Sequence, residues 1–126
     1  MASIRMPCYN TGVKTQDQRD LFPGALEMMV LQTLRHKAMH GYALAQHIKH
    51  SSNDLLQVEE GSLYPALQRM LKAGWVKAEW GISSTNRRVR TYQITPEGRK
   101  HVQREVSSFG RMLEGITRVL SPARTR

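Results

Sequence analysis

Apolar positions along the chain change period twice. Over residues 20–36, Leu26, Met29, Val30 and Leu34 form a helical stripe that Met28 and Leu31 widen. This predicts a largely buried helix with Pro23 in its first turn, where a missing N–H costs nothing. Residues 39–42, MHGY, read as a tight junction in which Gly41 permits close approach or unusual torsions. A second helix follows over 41–50, expected to bury Tyr42, Leu44, Ala45 and Ile48, and residues 51–54 stop it with side chains that bond their own backbone. After a brief extended piece at 55–58, Leu63, Leu67, Met70 and Leu71 mark a third helix within 59–75, with Gly74 as its left-handed exit.

Beyond Trp75 the period falls to two. Val76, Ala78, Trp80 and Ile82 alternate with Lys77, Glu79 and Gly81, and Tyr92 and Ile94 alternate with Thr91, Gln93 and Thr95. These are two half-buried strands, joined through a polar connection at 83–88 that ends in Asn86, Arg87 and Arg88, so the hairpin has a basic tip. Helical period then returns. Thr95, Pro96 and Glu97 supply a capping hydroxyl, a proline at the first helical position and an acid in the first turn. Val102, Val106, Phe109, Leu113, Ile116 and Leu120 continue it as an a/d seam, weakened but not broken by Gly110 and Gly115. A helix over 96–120 is ~37 Å long, more than a domain of this size covers alone, so the seam is expected to meet the same helix of a second copy.

The elements add up to a mainly α chain with a small β-hairpin (α+β), a winged helix-turn-helix with a long C-terminal dimerisation helix. Residues 1–19 read as a loosely ordered, flexible arm, 20–95 as the winged domain, 96–120 as the dimerisation helix and 121–126 as a basic tail. At 126 residues the chain suits one modest core.

Charge narrows the partner. Lys and Arg number 19 against 10 Asp and Glu, a formal +9, which favours a polyanion: nucleic acid first, an anionic membrane second. Against the membrane, the apolar-rich stretch 25–34 contains Glu27 and Gln32 and falls short of the ~18–20 residues a span needs. The N-terminus lacks the uninterrupted apolar core of a signal peptide. Cys8 is the only cysteine, so no internal disulfide can form and a reducing cytoplasm is the expected compartment.

Several motifs then occur in a characteristic order: HGY at 40–42, GSLYPAL at 61–67, GWVKAEW at 74–80, NRR at 86–88, and Tyr92 leading into ITPEGR at 94–99. Together they resemble the PadR-like family of bacterial transcriptional regulators over about residues 20–120. The single C-terminal helix resembles the smaller subgroup of that family, which implies a homodimeric, DNA-binding repressor. The segment before Asp20 is longer than the usual start in the family.

A recognition helix enters the major groove by its N-terminal part, which presents Ser62, Tyr64, Pro65, Gln68 and Arg69, with Lys72 further along. Gln68 suits adenine, and Arg69 suits guanine or phosphate. For Tyr64 the resemblance implies DNA contact, while packing on the wing is the other reading of an amphipathic ring. Asn86, Arg87, Arg88 and Arg90 stand where a wing meets the minor groove or backbone. Trp75, Trp80 and the methionines read as core.

Catalysis finds little support. His36, His40, His47, His50 and His101 have no accompanying cysteine or carboxylate cluster, so no metal and no cofactor is expected. No nucleophile-elbow, P-loop or dinucleotide motif is present. An RNA-binding winged helix or a protein-only interaction module remain as alternatives, and no site for a small-molecule effector can be read.

Overall fold

In the computed structural model, which describes residues 13–15 and 22–121, the chain runs β1 (Val13–Thr15), α1 (Ala25–Leu34), β2 (Met39–His40), α2 (Gly41–Ser51), β3 (Leu56–Val58), α3 (Glu60–Ala73), β4 (Val76–Ile82), β5 (Arg88–Ile94) and α4 (Pro96–Leu120). Leu26, Val30 and Leu31 of α1, Leu44 and Ile48 of α2, and Leu63, Leu67 and Met70 of α3 form one core, closed by Tyr92 from β5 and Val102 from α4.

Local chemistry sets each boundary. Pro23 lies outside α1, contrary to expectation. Ala25 N–H donates to the Phe22 carbonyl at 3.1 Å, and Gly24 sits at φ 88°, ψ −8°, the third position of a type II turn with proline in its second. Helix α1 is therefore shorter than the 20–36 expected, because the Pro-Gly pair is spent on turning the chain. His40 Nδ1 accepts from Ala43 N–H at 3.3 Å and so caps α2. Ser52 Oγ donates to the Lys49 carbonyl and accepts from Leu56 N–H, which closes α2 as its sequence suggests. Tyr42, expected in the core, is 63% exposed. It lies two residues, about 200° of rotation, from the stripe of Leu44 and Ile48.

Two strands add to the expected hairpin. Met39 and His40 pair with Tyr92 and Thr91, giving a three-stranded antiparallel sheet in the order β2-β5-β4. A strand of two residues has no period to read, so the sequence showed only a junction. Val13–Thr15, within the segment expected to be a loose arm, pairs antiparallel with β3, and Val13 is fully buried in the core. The remainder of that arm, 1–12 and 16–19, lies outside the described residues, as does the tail from 122 on.

Helix α3 ends in a Schellman arrangement: Gly74 is left-handed at φ 81°, and Trp75 N–H reaches back to the Met70 carbonyl at 3.0 Å. Ala66 joins its buried face, and Leu71 is half-buried. Thr95 then fastens the start of α4 to this exit. Its N–H donates to the Trp75 carbonyl at 2.9 Å, its hydroxyl donates to the Gly74 carbonyl at 2.6 Å, and the same oxygen accepts from Gly98 N–H at 3.0 Å. Gly98 is buried against the Trp75 carbonyl oxygen, which a Cβ would strike. After Val102, helix α4 runs clear of the core. Phe109 stacks on Phe22 with ring centroids 5.3 Å apart, while Val106, Met112, Leu113, Ile116, Val119 and Leu120 are exposed.

Gly98→Ala is expected to destabilise the fold by about 1–3 kcal/mol in urea denaturation, because backbone and not a movable side chain opposes the new methyl. Gly115→Ala, where a Cβ meets nothing within 4 Å, is expected to stabilise by about 0.5–1 kcal/mol through helix propensity.

Candidate nucleic-acid interface

The site begins with a hairpin longer than the core beneath it. Seven residues in each of β4 and β5 extend ~23 Å at the usual rise. Val76 is buried and Ala78 half-buried, but Trp80 and Ile82, next on the same face, are 58% and 67% exposed. The alternation was correctly legible as one face; only its proximal half is covered. Trp80 is therefore not core, in contrast to the sequence expectation. Trp75 is partly buried, stacked on His101 with centroids 3.7 Å apart.

Opposite Trp80 and Ile82 the register places Arg90 and Arg88. Arg88 Cζ lies 4.6 Å from the Trp80 ring centroid, and Arg90 Cζ lies 5.8 Å from the rings of both Trp80 and Tyr92. Arg90 Nε is buried with no hydrogen-bond partner among the described residues. An unmet buried donor costs about 1–3 kcal/mol, which the ring contacts offset by about 0.5–1 kcal/mol each. At the tip, Ser83 N–H donates to the Arg87 carbonyl at 2.8 Å, and Asn86 adopts a left-handed φ of 62° while its N–H donates to the Ser83 carbonyl at 2.9 Å. Asn86 thus shapes the turn. Arg88 opens β5 instead of ending the connection.

Between this hairpin and α3 lies a cleft of about 740 Å³. Tyr64 and Gln68 line it from the helix, and Trp80, Arg87, Arg88 and Arg90 from the hairpin. Tyr42 also lines it, and no Asp or Glu among the described residues does. The arrangement concentrates positive charge and aromatic surface where a polyanion's edge can enter. Tyr64, half-exposed, rests against Gly41 at the start of α2; a Cβ at Gly41 would lie 2.8 Å from its hydroxyl oxygen.

Not every sequence-predicted residue joins the cleft. Arg69 turns toward α1, where its Nε and Nη2 donate to Glu27 Oε2 at 3.2 and 2.7 Å. Ser62, Pro65, Lys72 and Asn86 do not line it either; Pro65 and Lys72 are exposed elsewhere on α3. Sequence reasoning missed Tyr42 and Trp80, and the signal was available in Trp80: it stands only three residues before the tip, beyond the reach of a small core.

Among the described residues no group of three or more His, Cys, Asp and Glu is placed to hold a metal ion. His40 is committed to its cap, and His47 Nε2 lies 3.1 Å from Ser51 Oγ. No helix among them is long and apolar enough to cross a membrane.

A family model, the transcriptional regulator PadR-like family, matches residues 30–104. The chain is 28% identical over 97 residues to an uncharacterized protein of Lysinibacillus sphaericus, covering 77% of this chain and 89% of that one. Among solved structures, a transcriptional regulator from Clostridium thermocellum is similar with TM-score 0.69 at 27% identity, covering 75% of this chain and 89% of that one. A PadR-like transcriptional regulator from Bacillus cereus is similar with TM-score 0.67, also at 27% identity, covering 77% and 92% respectively.

Gly41→Ala is expected to change stability by less than about 1 kcal/mol in urea denaturation, since the half-exposed Tyr64 ring can turn outward and the unfolded chain loses entropy. The contrast with Gly98→Ala tests whether each glycine faces a side chain or a backbone.

Proposed function

The chain belongs to the PadR-like family of transcriptional regulators, DNA-binding proteins and not enzymes, and from that premise we propose that it is a repressor that binds an inverted-repeat operator as a homodimer. The observation that carries the DNA interface is the cleft between α3 and the hairpin, free of acids among the described residues, with Tyr64 and Gln68 on one wall and Arg87, Arg88 and Arg90 on the other.

In this reading α3 enters the major groove. Gln68 reads a base edge, adenine by preference, and Tyr64 contributes an apolar ring and a hydroxyl beside it. Ser62, Pro65 and Lys72 flank them on the helix. Arg87, Arg88 and Arg90 meet the backbone or the adjacent minor groove, where guanidinium groups suit strong negative potential. Arg69 gives Glu27 its Nε–H and one Nη2–H and can offer its remaining guanidinium donors to DNA.

The homodimer is supported by the outer half of α4. Leu113, Ile116 and Leu120 continue the seam begun by Val102 and Val106, yet all three are exposed in the single chain. Pairing of this helix with its copy buries them, and a two-fold dimer sets its α3 helices about 34–36 Å apart, which demands an inverted repeat. Repression follows where such a site overlaps a promoter. The work is done beside the chromosome, in the cytoplasm of a bacterial cell.

Selection of bound sites from random duplex DNA tests the proposal: two inverted half-sites are expected, and a single asymmetric half-site, or preference for RNA in a gel shift, contradicts it. Sedimentation is expected to give about twice the 14.4 kDa of one chain, falling to a monomer with Leu113→Asp. Arg88→Ala is expected to weaken binding to all sequences and lower the salt slope by about one, whereas Gln68→Ala shifts sequence preference by about 1–3 kcal/mol.

A further inference from the structure

Trp80 is a large aromatic residue that the fold does little to bury, on the face of the hairpin that lines the cleft. Its cross-strand partner is Arg90, and Arg88 lies one pair further toward the tip on the same face. Both guanidinium groups converge on the indole, at 4.6 Å for Arg88 and 5.8 Å for Arg90.

A ring contact and a hydrogen bond use different parts of a guanidinium. The indole attracts the flat face, whereas oxyanions bind the in-plane N–H edge. Resting on Trp80 therefore restricts the arginine without consuming its donors. A long, free arginine must lose rotamer freedom when it meets a ligand, and one already laid on a ring loses less. Among the described residues no carboxylate pairs with Arg88 or Arg90, and the buried Nε of Arg90 has no acceptor. With no carboxylate to hold them, the terminal N–H groups of both side chains are left for an oxyanion beside the indole.

We propose that Trp80 is a positioning residue for nucleic-acid binding. It lays Arg88 and Arg90 flat along the cleft, preset for phosphodiester oxygens of the duplex strand that passes between α3 and the hairpin. The inference rests on the DNA-binding reading above and adds to it the residue that organises the cationic wall.

The test is fluorescence anisotropy of the full chain with a labelled duplex, in selected and random sequence, using Trp80→Phe, Trp80→Leu, Arg88→Ala and the Trp80→Leu/Arg88→Ala double variant. Phenylalanine keeps a π face; leucine keeps only apolar bulk. Trp80→Leu is expected to lower affinity about fivefold for both duplexes, with Trp80→Phe retaining most of it and both melting like the wild type. Arg88→Ala is expected to cost less in the Trp80→Leu background than alone, because the guanidinium there has already lost its platform. Unchanged affinity in Trp80→Leu, equal loss in the leucine and phenylalanine variants, or the same Arg88→Ala loss in both backgrounds overturns the proposal. A wild-type chain that binds no duplex at low salt overturns the DNA reading itself, and with it this inference.

Discussion

The architecture depends on three hydrogen bonds made by one residue. Thr95 joins the carbonyls of Gly74 and Trp75, at the exit of α3, to the Gly98 N–H that begins α4. The bonds hold only because Gly98 carries no side chain where the Trp75 carbonyl approaches. Through this knot the helix proposed to read DNA and the helix proposed to pair two subunits share one rigid junction. Half-site spacing in a dimer is a sum over such junctions, so an angular change here is magnified along α4, ~37 Å from end to end.

Next to the knot the molecule distributes its charges in two ways. Arg69 is neutralised by Glu27 on the side of α3 that faces α1. On the side that faces the hairpin, Arg87, Arg88 and Arg90 have no acidic neighbour in the cleft among the described residues, and Arg88 and Arg90 lie against aromatic rings. One helix thus has a screened flank and an unscreened one, and the electrostatic field is directed by what surrounds the arginines as much as by their number.

Much of this was legible in the sequence because periodicity reports burial. The stripe of Leu63, Leu67 and Met70, the left-handed exit at Gly74, the Thr95-Pro96 start and the extent of α4 all appear where the sequence places them. Failures came where burial and period part company. Tyr42 and Trp80 look like core residues by type, yet one is rotated off its helix's stripe and the other stands past the end of the core. Val13 and the Met39–His40 strand are too brief to show a period at all, and their places are fixed by partners distant in the chain. The site was partly legible for the same reason. Residue type suggested Gln68 and the hairpin arginines, but only the fold could show that Arg69 is held by Glu27, forty-two positions away.

The short β2 strand has one more effect. It pairs with Thr91 and Tyr92 and goes no further, so among the described residues the stretch of β5 from Arg88 to Arg90 has no strand partner on the side away from β4. Open edges invite strand addition from other chains, and charged side chains are a common defence. Arg88 and Arg90 mark this margin with positive charge, so two copies approaching edge to edge repel each other. The same arginines that suit the hairpin to a polyanion therefore also set like charges against a second copy at this edge.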